Sequence, residues 1–456
     1  MKRSSTLLFA VPGLLLALAG CDRHTPSSPV AAPAAIAPSS PKAPELSAVA
    51  QLGKKIFFDP SLSGSGKLAC ASCHSPDHAY APPNNLAVQL GGPGMDRQGL
   101  RAVPSLRYLE HTPVFTIGPN SSVPDSDAAA PPTVPATTAD VKVAAVAKNT
   151  QASAALLAAE AHVPMGGLDW DGRADTLQSQ AQGPFLDPNE MDNKSSAVLL
   201  DKLRSASYAD ELRQLFGANV FSNPDLALSE ALFALARFQL EDPSFHPYDS
   251  KYDYYLAGTA SLTPAETRGL KLFEDPQKGN CSSCHIDKPS HDGMFPPAFT
   301  DYQFEALAGP RNRELLANRD PDHYDLGLCG PMRGDYRKHA AYCGLFKTPT
   351  LRNSATRGAL FHNGVFKNLE DLLHFYVERE TDPGKWYPKK PDGSIDKYDD
   401  LPPRYKKNVD VVDAPFDRRH GAAPALNDDE IKDMVAFLRT LDDGYPGKEK
   451  QENAPN

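Results

Sequence analysis

Two pentads, Cys70-Ala71-Ser72-Cys73-His74 and Cys281-Ser282-Ser283-Cys284-His285, constrain this chain more than any other feature. Two thiols three residues apart on one helical turn can each add to a haem vinyl group, and the adjacent histidine then lies under the iron as an axial ligand. A redox disulfide and half of a zinc site are the alternatives. A redox pair needs no histidine, and two such pairs without further ligands close by make poor zinc sites. The reading is two covalent haem c groups, held by Cys70, Cys73 and His74 and by Cys281, Cys284 and His285.

Each pentad is preceded by the same pattern. Leu52-Gly53-Lys54-Lys55-Ile56-Phe57-Phe58 runs into Asp59-Pro60, and Arg268-Gly269-Leu270-Lys271-Leu272-Phe273 runs to Asp275-Pro276. A repeat of about two hundred residues fits two duplicated domains rather than a solenoid. Both copies read as helices: Thr263, Pro264 and Glu266 form a capping box with proline at the first helical position, and Leu270 and Phe273 share a face. Asn427 and Glu430 cap another helix carrying Ile431, Met434, Phe437 and Leu438, and residues 225–240 and 367–378 have helical periodicity. Strand alternation is scarce, and residues 112–140 and 380–426 read as long loops rich in proline and polar residues. The expected class is mostly α, two cytochrome c-like helical domains with long loops, at residues 45–245 and 246–446, with a tail at 447–456.

The first twenty-one residues read as a leader. Lys2 and Arg3 precede an apolar run from Leu7 to Leu18, too short for a comfortable membrane span, and Leu18-Ala19-Gly20-Cys21 is a small-residue cleavage site. The cysteine at the cut makes this similar to a bacterial lipoprotein signal, with Cys21 as the lipidated first residue; plain secretion with an incidental cysteine is the alternative. Residues 22–44, rich in Pro, Ala and Ser, read as a tether. The cysteines total seven. After Cys21 and the pentads, Cys329 and Cys343 remain, and in an oxidising compartment they read as a disulfide, with two buried thiols as the alternative. A net charge of −10 argues against a nucleic-acid partner.

Beyond the pentads the chain carries Trp170-Asp171-Gly172-Arg173, Gln180, Gly183-Pro184, Pro188-Asn189-Glu190-Met191, Thr348-Pro349-Thr350-Leu351-Arg352-Asn353 and Phe361-His362-Asn363-Gly364. With these, residues 50–445 resemble the bacterial di-haem cytochrome c peroxidases and their MauG-like relatives. The resemblance implies that His74 is the proximal ligand of the peroxide-reactive haem in the first domain. Glu190 would be its distal acid–base group, with Gln180 and Pro184 lining the same pocket. Cleaving a peroxide O–O bond needs a group that takes one proton and returns it to the leaving oxygen, which a carboxylate near its working pKa can do. Trp170 would lie between the haems as an electron relay, or simply as a packing aromatic. His285 would hold the second, electron-transfer haem. Tyr376 aligns with the family's sixth-ligand methionine and is similar to the tyrosine ligand of MauG; a phenolate should favour a higher iron oxidation state than a thioether does. His374 and Met434 are rival ligands, and His362 would support the ligands from behind.

Two departures matter. The loop Gln89-Leu90-Gly91-Gly92-Pro93-Gly94-Met95 lacks the removable distal histidine of the peroxidases that need reductive activation; His78 is too close to His74 and His111 lies beyond the loop. The first haem should therefore be open in every oxidation state. Ala102 stands where the family's inter-haem calcium site has an asparagine, so calcium is doubtful although carbonyls near Arg357 and Ala359 remain. The function implied is a periplasmic peroxidase, membrane-anchored through its lipid, that reduces hydrogen peroxide with electrons from a protein donor, a small cytochrome or a cupredoxin. The alternatives are a MauG-like oxidase modifying side chains of a partner protein, and a di-haem electron carrier without catalysis.

Overall fold

The computed structural model describes residues 45–119, 162–290 and 293–446. The leader, Cys21, the tether, the tail and residues 120–140 of the first long loop lie outside them. Among the described residues helices and irregular segments dominate, and the strands form three two-stranded antiparallel sheets: Leu90–Gly91 with Arg97–Gln98, Thr116–Pro119 with His162–Met165, and Phe304–Glu305 with Phe346–Lys347. No helix among the described residues is long and apolar enough to cross a membrane.

The sequence repeat is a repeat of helix pairs. Ala48–Phe57 packs on Pro224–Glu241, and Pro264–Glu274 packs on Asp428–Arg439. Their starts are written locally: the Ser47 hydroxyl accepts from the Ala50 amide, and Asn223 caps a helix with Pro224 at its first position. Thr263 with Glu266, and Asn427 with Glu430, close reciprocal capping boxes. The first pair buries Leu52, Ile56 and Phe57 among Leu235, Phe238 and Phe245; the second buries Leu270 and Phe273 among Met434, Phe437 and Leu438. Each such side chain contributes roughly 1.5–3 kcal/mol by leaving water.

The paired glycines of the repeat have the same task. A Cβ on Gly53 would lie 1.9 Å from the Ala234 carbonyl oxygen, and one on Gly269 would lie 2.1 Å from that of Asp433. Both helices touch their partners backbone to backbone at these points. An ordinary helical Gly→Ala change stabilises by about 0.4–1 kcal/mol. Gly269→Ala should do the opposite, costing about 1–3 kcal/mol through overpacking, visible as a lower denaturation midpoint; an unchanged or raised midpoint would refute the close approach.

Candidate active site

Two cavities lie over the pentads. The smaller, about 130 Å³, is lined by Cys70, Cys73, His74, Gln180, Pro184 and Glu190; the larger, about 260 Å³, by Cys281, Cys284, His285, His362 and Tyr376. Pro104, Leu106, Asp169, Trp170 and Gln180 line both, so Trp170 stands in the wall between them.

The two pentads are built alike. Cys70–Cys73 forms a single helical turn and Cys281–Ser283 a 3-10 turn, placing both thiols of each pair on one side. His74 Nδ1 lies 3.1 Å from the Tyr80 carbonyl and His285 Nδ1 lies 3.0 Å from that of Phe299. Donation from Nδ1–H to these carbonyls leaves Nε2 as a free lone pair, the arrangement of a metal-bound imidazole. Tyr80 and Phe299 both have positive φ, 53° and 52°, uncommon for large side chains and matched between the two halves. Burial pushes both imidazoles down to about 4, keeping them neutral. Burial also pushes all four pentad thiols up to about 12, the reverse of a redox Cys-x-x-Cys.

Glu190 sits in a turn where the Glu190 amide donates to the Asp187 carbonyl at 3.1 Å and the Asn189 amide to the Asp187 carboxylate at 2.7 Å. The Gly92 amide donates to the Glu190 carbonyl at 2.8 Å, and a Cβ on Gly91 would lie 2.8 Å from the Glu190 Cα. The loop 89–95 therefore rests directly on the Glu190 backbone, with Gln89 and Leu90 lining the cavity. Burial, then the charges of Asp187 and Asp169, raise the Glu190 carboxyl to about 7. Gln180 and Pro184 lie on the helix Leu177–Leu186, and Gln180 Nε2 donates to Asp169 at 3.3 Å. Of the histidines nearest this pentad and its following loop, His78 faces Ser75 at 3.3 Å, and His111 packs at a tilt against Phe295 with ring centroids 4.0 Å apart; neither lines the cavity.

Trp170 donates its indole N–H to the Ala102 carbonyl at 2.8 Å. The flanking Asp171 is fully buried and pairs with Arg101 at 2.8 Å and Arg173 at 3.0 Å, while Arg101 also holds Asp325 at 2.6 Å. Opening one partner of such a buried network costs several kcal/mol, about 3–5 in typical cases. This fixes the Trp170 segment against both halves. The Val103 and Ala359 carbonyls accept from the Arg357 guanidinium at 2.8 and 3.4 Å, so a cation of the chain itself occupies carbonyls close to those considered for calcium.

In the larger cavity Tyr376 comes from the helix Leu369–Glu378, its ring 5.3 Å from that of Phe416. Burial, and the neighbouring Cys281 and Cys284, hold its phenol well above the usual range. Its rivals do not reach this space: His374 Nδ1 is 3.1 Å from Glu378 and Met434 is fully buried in the core, and neither lines the cavity. His362 stacks on Phe346 at 3.7 Å, and its buried Nε2 has no hydrogen-bond partner among the described residues. Paired thiols, an anchored imidazole and apolar walls fit a covalent haem in each cavity, and the open His362 nitrogen adds a polar group to the wall of the larger one.

Several contributors on the loop between Cys329 and Cys343 carry no signal in the sequence, unlike the two cysteines themselves. Cys329 and Cys343 are bonded, with sulfurs 2.15 Å apart, and the loop they bound delivers Met332 to the smaller cavity. Arg333 of that loop donates to the Asp171 and Gly172 carbonyls at 2.9 Å and lies 3.8 Å over the Phe115 ring. The Tyr80 and Phe299 carbonyls could have been sought only by position after each pentad.

Known proteins share this architecture. Residues 47–261 match the family model for di-haem cytochrome c peroxidase. The methylamine utilization protein MauG of Paracoccus denitrificans is 29% identical over 406 residues, 87% of this chain and 89% of that protein. Cytochrome c551 peroxidase of Nitrosomonas europaea is 26% identical over 341 residues, 74% of this chain and 75% of its own. The crystal structure of the diheme peroxidase BthA from Burkholderia thailandensis is 37% identical with a TM-score of 0.71, covering 90% of this chain and 89% of that one. The chain belongs to the di-haem cytochrome c peroxidase and MauG family. It is accordingly an oxidoreductase with two c-type haems.

Proposed function

We propose that this chain is a periplasmic enzyme that reduces hydrogen peroxide with electrons from an outside protein, a small cytochrome or a cupredoxin. The observation that carries the reading is Glu190, a carboxyl raised to about 7 in the cavity that holds His74. When bound, the haems supply the iron that receives peroxide and the store for its two oxidising equivalents. The chain's residues do the rest. Glu190 takes a proton from the peroxide oxygen nearer the iron and returns it to the leaving oxygen. Gln180 and Pro184 shape the space beside it. His74 and His285 are held as neutral donors by the Tyr80 and Phe299 carbonyls, Trp170 stands in the wall between the two cavities, and Tyr376, which lines the larger cavity with His285, would hold the second haem together with it.

A second reading, oxidation of side chains on a partner protein, is favoured by Tyr376 in the larger cavity and by the likeness to MauG. Steady-state assay with peroxide and a reduced small cytochrome separates the two. The peroxidase reading expects sustained turnover, with two cytochromes oxidised per peroxide. A single burst followed by arrest would sink it in favour of a protein substrate. Cys21 would tether the enzyme to a membrane as a lipidated residue. Cell fractionation should find the native chain with membranes and Cys21→Ser free in the periplasm; native protein already free there would refute the anchor.

A further inference from the structure

Tyr108 lines the larger cavity with His285 and is otherwise buried. Its hydroxyl donates to the carboxylate of Asp443, which also receives Arg107 at 2.7 Å and Asn353 at 2.6 Å. Its ring lies 4.7 Å, centroid to centroid, from that of Tyr248, whose hydroxyl donates to Glu110 at 2.8 Å. Tyr248 is only half-buried, and Glu110 adjoins the exposed His111, whose ring packs at a tilt against the exposed Phe295. Two phenols in contact, each donating to a carboxylate, thus run from a cavity wall to the surface.

We propose that Tyr108 and Tyr248 form an electron relay between the surface and the larger cavity, with Asp443 and Glu110 as their proton acceptors. The inference rests on the peroxide-reducing function above, because hydrogen peroxide is the oxidant that sets it running. Tyr108 gives one electron to the oxidised site in the larger cavity and its phenolic proton to Asp443. Tyr248 then gives one electron to Tyr108 and its proton to Glu110, while Asp443 returns its proton to Tyr108. An electron from the outside donor restores Tyr248, which recovers its proton from Glu110. Two passes supply the two electrons, and with two protons taken up from the buffered solution one peroxide becomes two waters.

The surroundings require the proton to move with the electron. The Arg352 guanidinium lies 4.9 Å over the Tyr108 ring and 4.8 Å over the Tyr248 ring. A cation there opposes a positively charged tyrosine radical, so the ring can lose an electron only as its proton leaves for the carboxylate. Asp253 pairs with Arg352 at 2.8 Å and holds its guanidinium in place. A purely structural pair of tyrosines would need the hydrogen bonds but not the ring contact, nor a place on a cavity wall.

The test uses the full-length protein with both haems, as Tyr108→Phe, Tyr248→Phe and the double variant. Stopped-flow mixing with peroxide, then with reduced mitochondrial cytochrome c, reads oxidation and re-reduction separately. The expected result is re-reduction slowed by about tenfold or more in each variant, with an unchanged peroxide phase in Tyr248→Phe. The double variant should be no slower than the singles, since the two act in series, and the wild type's solvent deuterium effect on re-reduction should vanish. Tyr248→Phe lies at the surface and keeps the test valid where Tyr108→Phe fails to fold. Re-reduction within twofold of wild type in Tyr248→Phe overturns the relay while leaving the peroxidase reading intact. Absence of any peroxide phase in the wild type overturns both.

Discussion

Glu190→Gln should keep both haems and lower the rate of reaction with hydrogen peroxide by about 10²–10⁴-fold, the usual contribution of a general acid–base group. The amide is nearly isosteric with the carboxyl and preserves the turn, which is held by the backbone and by Asp187. What it removes is the exchangeable proton. In the native chain the first step needs the carboxylate, and burial together with Asp187 and Asp169 places its titration at about 7. The rate should therefore fall as pH drops through about 7, and this limb should be missing from the variant.

The same environment makes a stability prediction of fixed sign. A carboxyl whose folded pKa lies above its unfolded value favours the folded chain when protonated. That contribution is fully present below the ordinary range near 4.5 and is lost as pH rises through about 7. Glu190→Gln should thus melt higher than wild type at pH 8 and nearly alike at pH 4. A variant that reacts with peroxide at a near-normal rate would return Glu190 to the status of a loop acid, whatever its melting curve.

The parts legible in the sequence are those in which a short stretch decides its own structure. Thr263–Glu266 and Asn427–Glu430 are capping boxes wherever they occur, and the pentads bring their own ligands. The repeated glycines were visible as a pattern, but their reason was not. Gly53 and Gly269 are set by carbonyls 181 and 164 residues away, at Ala234 and Asp433. The Glu190 turn was found through its motif, while its perturbed titration comes first from burial, which only the fold creates, and then from Asp187 and Asp169. Met332 reaches the smaller cavity, and Arg333 the Asp171 and Gly172 carbonyls, only because of how the disulfide-bounded loop lies, and no periodicity foretells that placement. Arg357 and Lys347 behave likewise. Both line the larger cavity with no carboxylate within ion-pair distance among the described residues, and burial lowers them to about 10 and about 8. In the sequence they are two ordinary basic residues.

Tyr376→Met should raise the reduction potential of the second haem by at least a tenfold change in its reduction equilibrium, about 59 mV for one electron. The argument begins with the helix Leu369–Glu378, capped by Asn368, which buries Leu369, Leu373 and Phe375. That packing fixes the helix rotation and leaves Tyr376, one residue past Phe375, lining the cavity with Cys281, Cys284 and His285. Its hydroxyl has no hydrogen bond to another described residue, so the space beyond it is where a ligand's partner would stand. A free phenol there is held protonated by burial. Bound to a metal cation the same oxygen loses its proton, and the anionic donor stabilises the more oxidised metal. Methionine gives a neutral, softer donor that favours the reduced state, so storing an oxidising equivalent at that site after peroxide becomes harder. Potentiometric titration of the wild type and variant, with optical and Mössbauer spectra after peroxide, reads both effects. If the second haem keeps its potential and its spectrum in Tyr376→Met, Tyr376 is not its ligand. His374 would then have to leave Glu378, or Met434 the core, and His374→Ala and Met434→Leu would show which of them does.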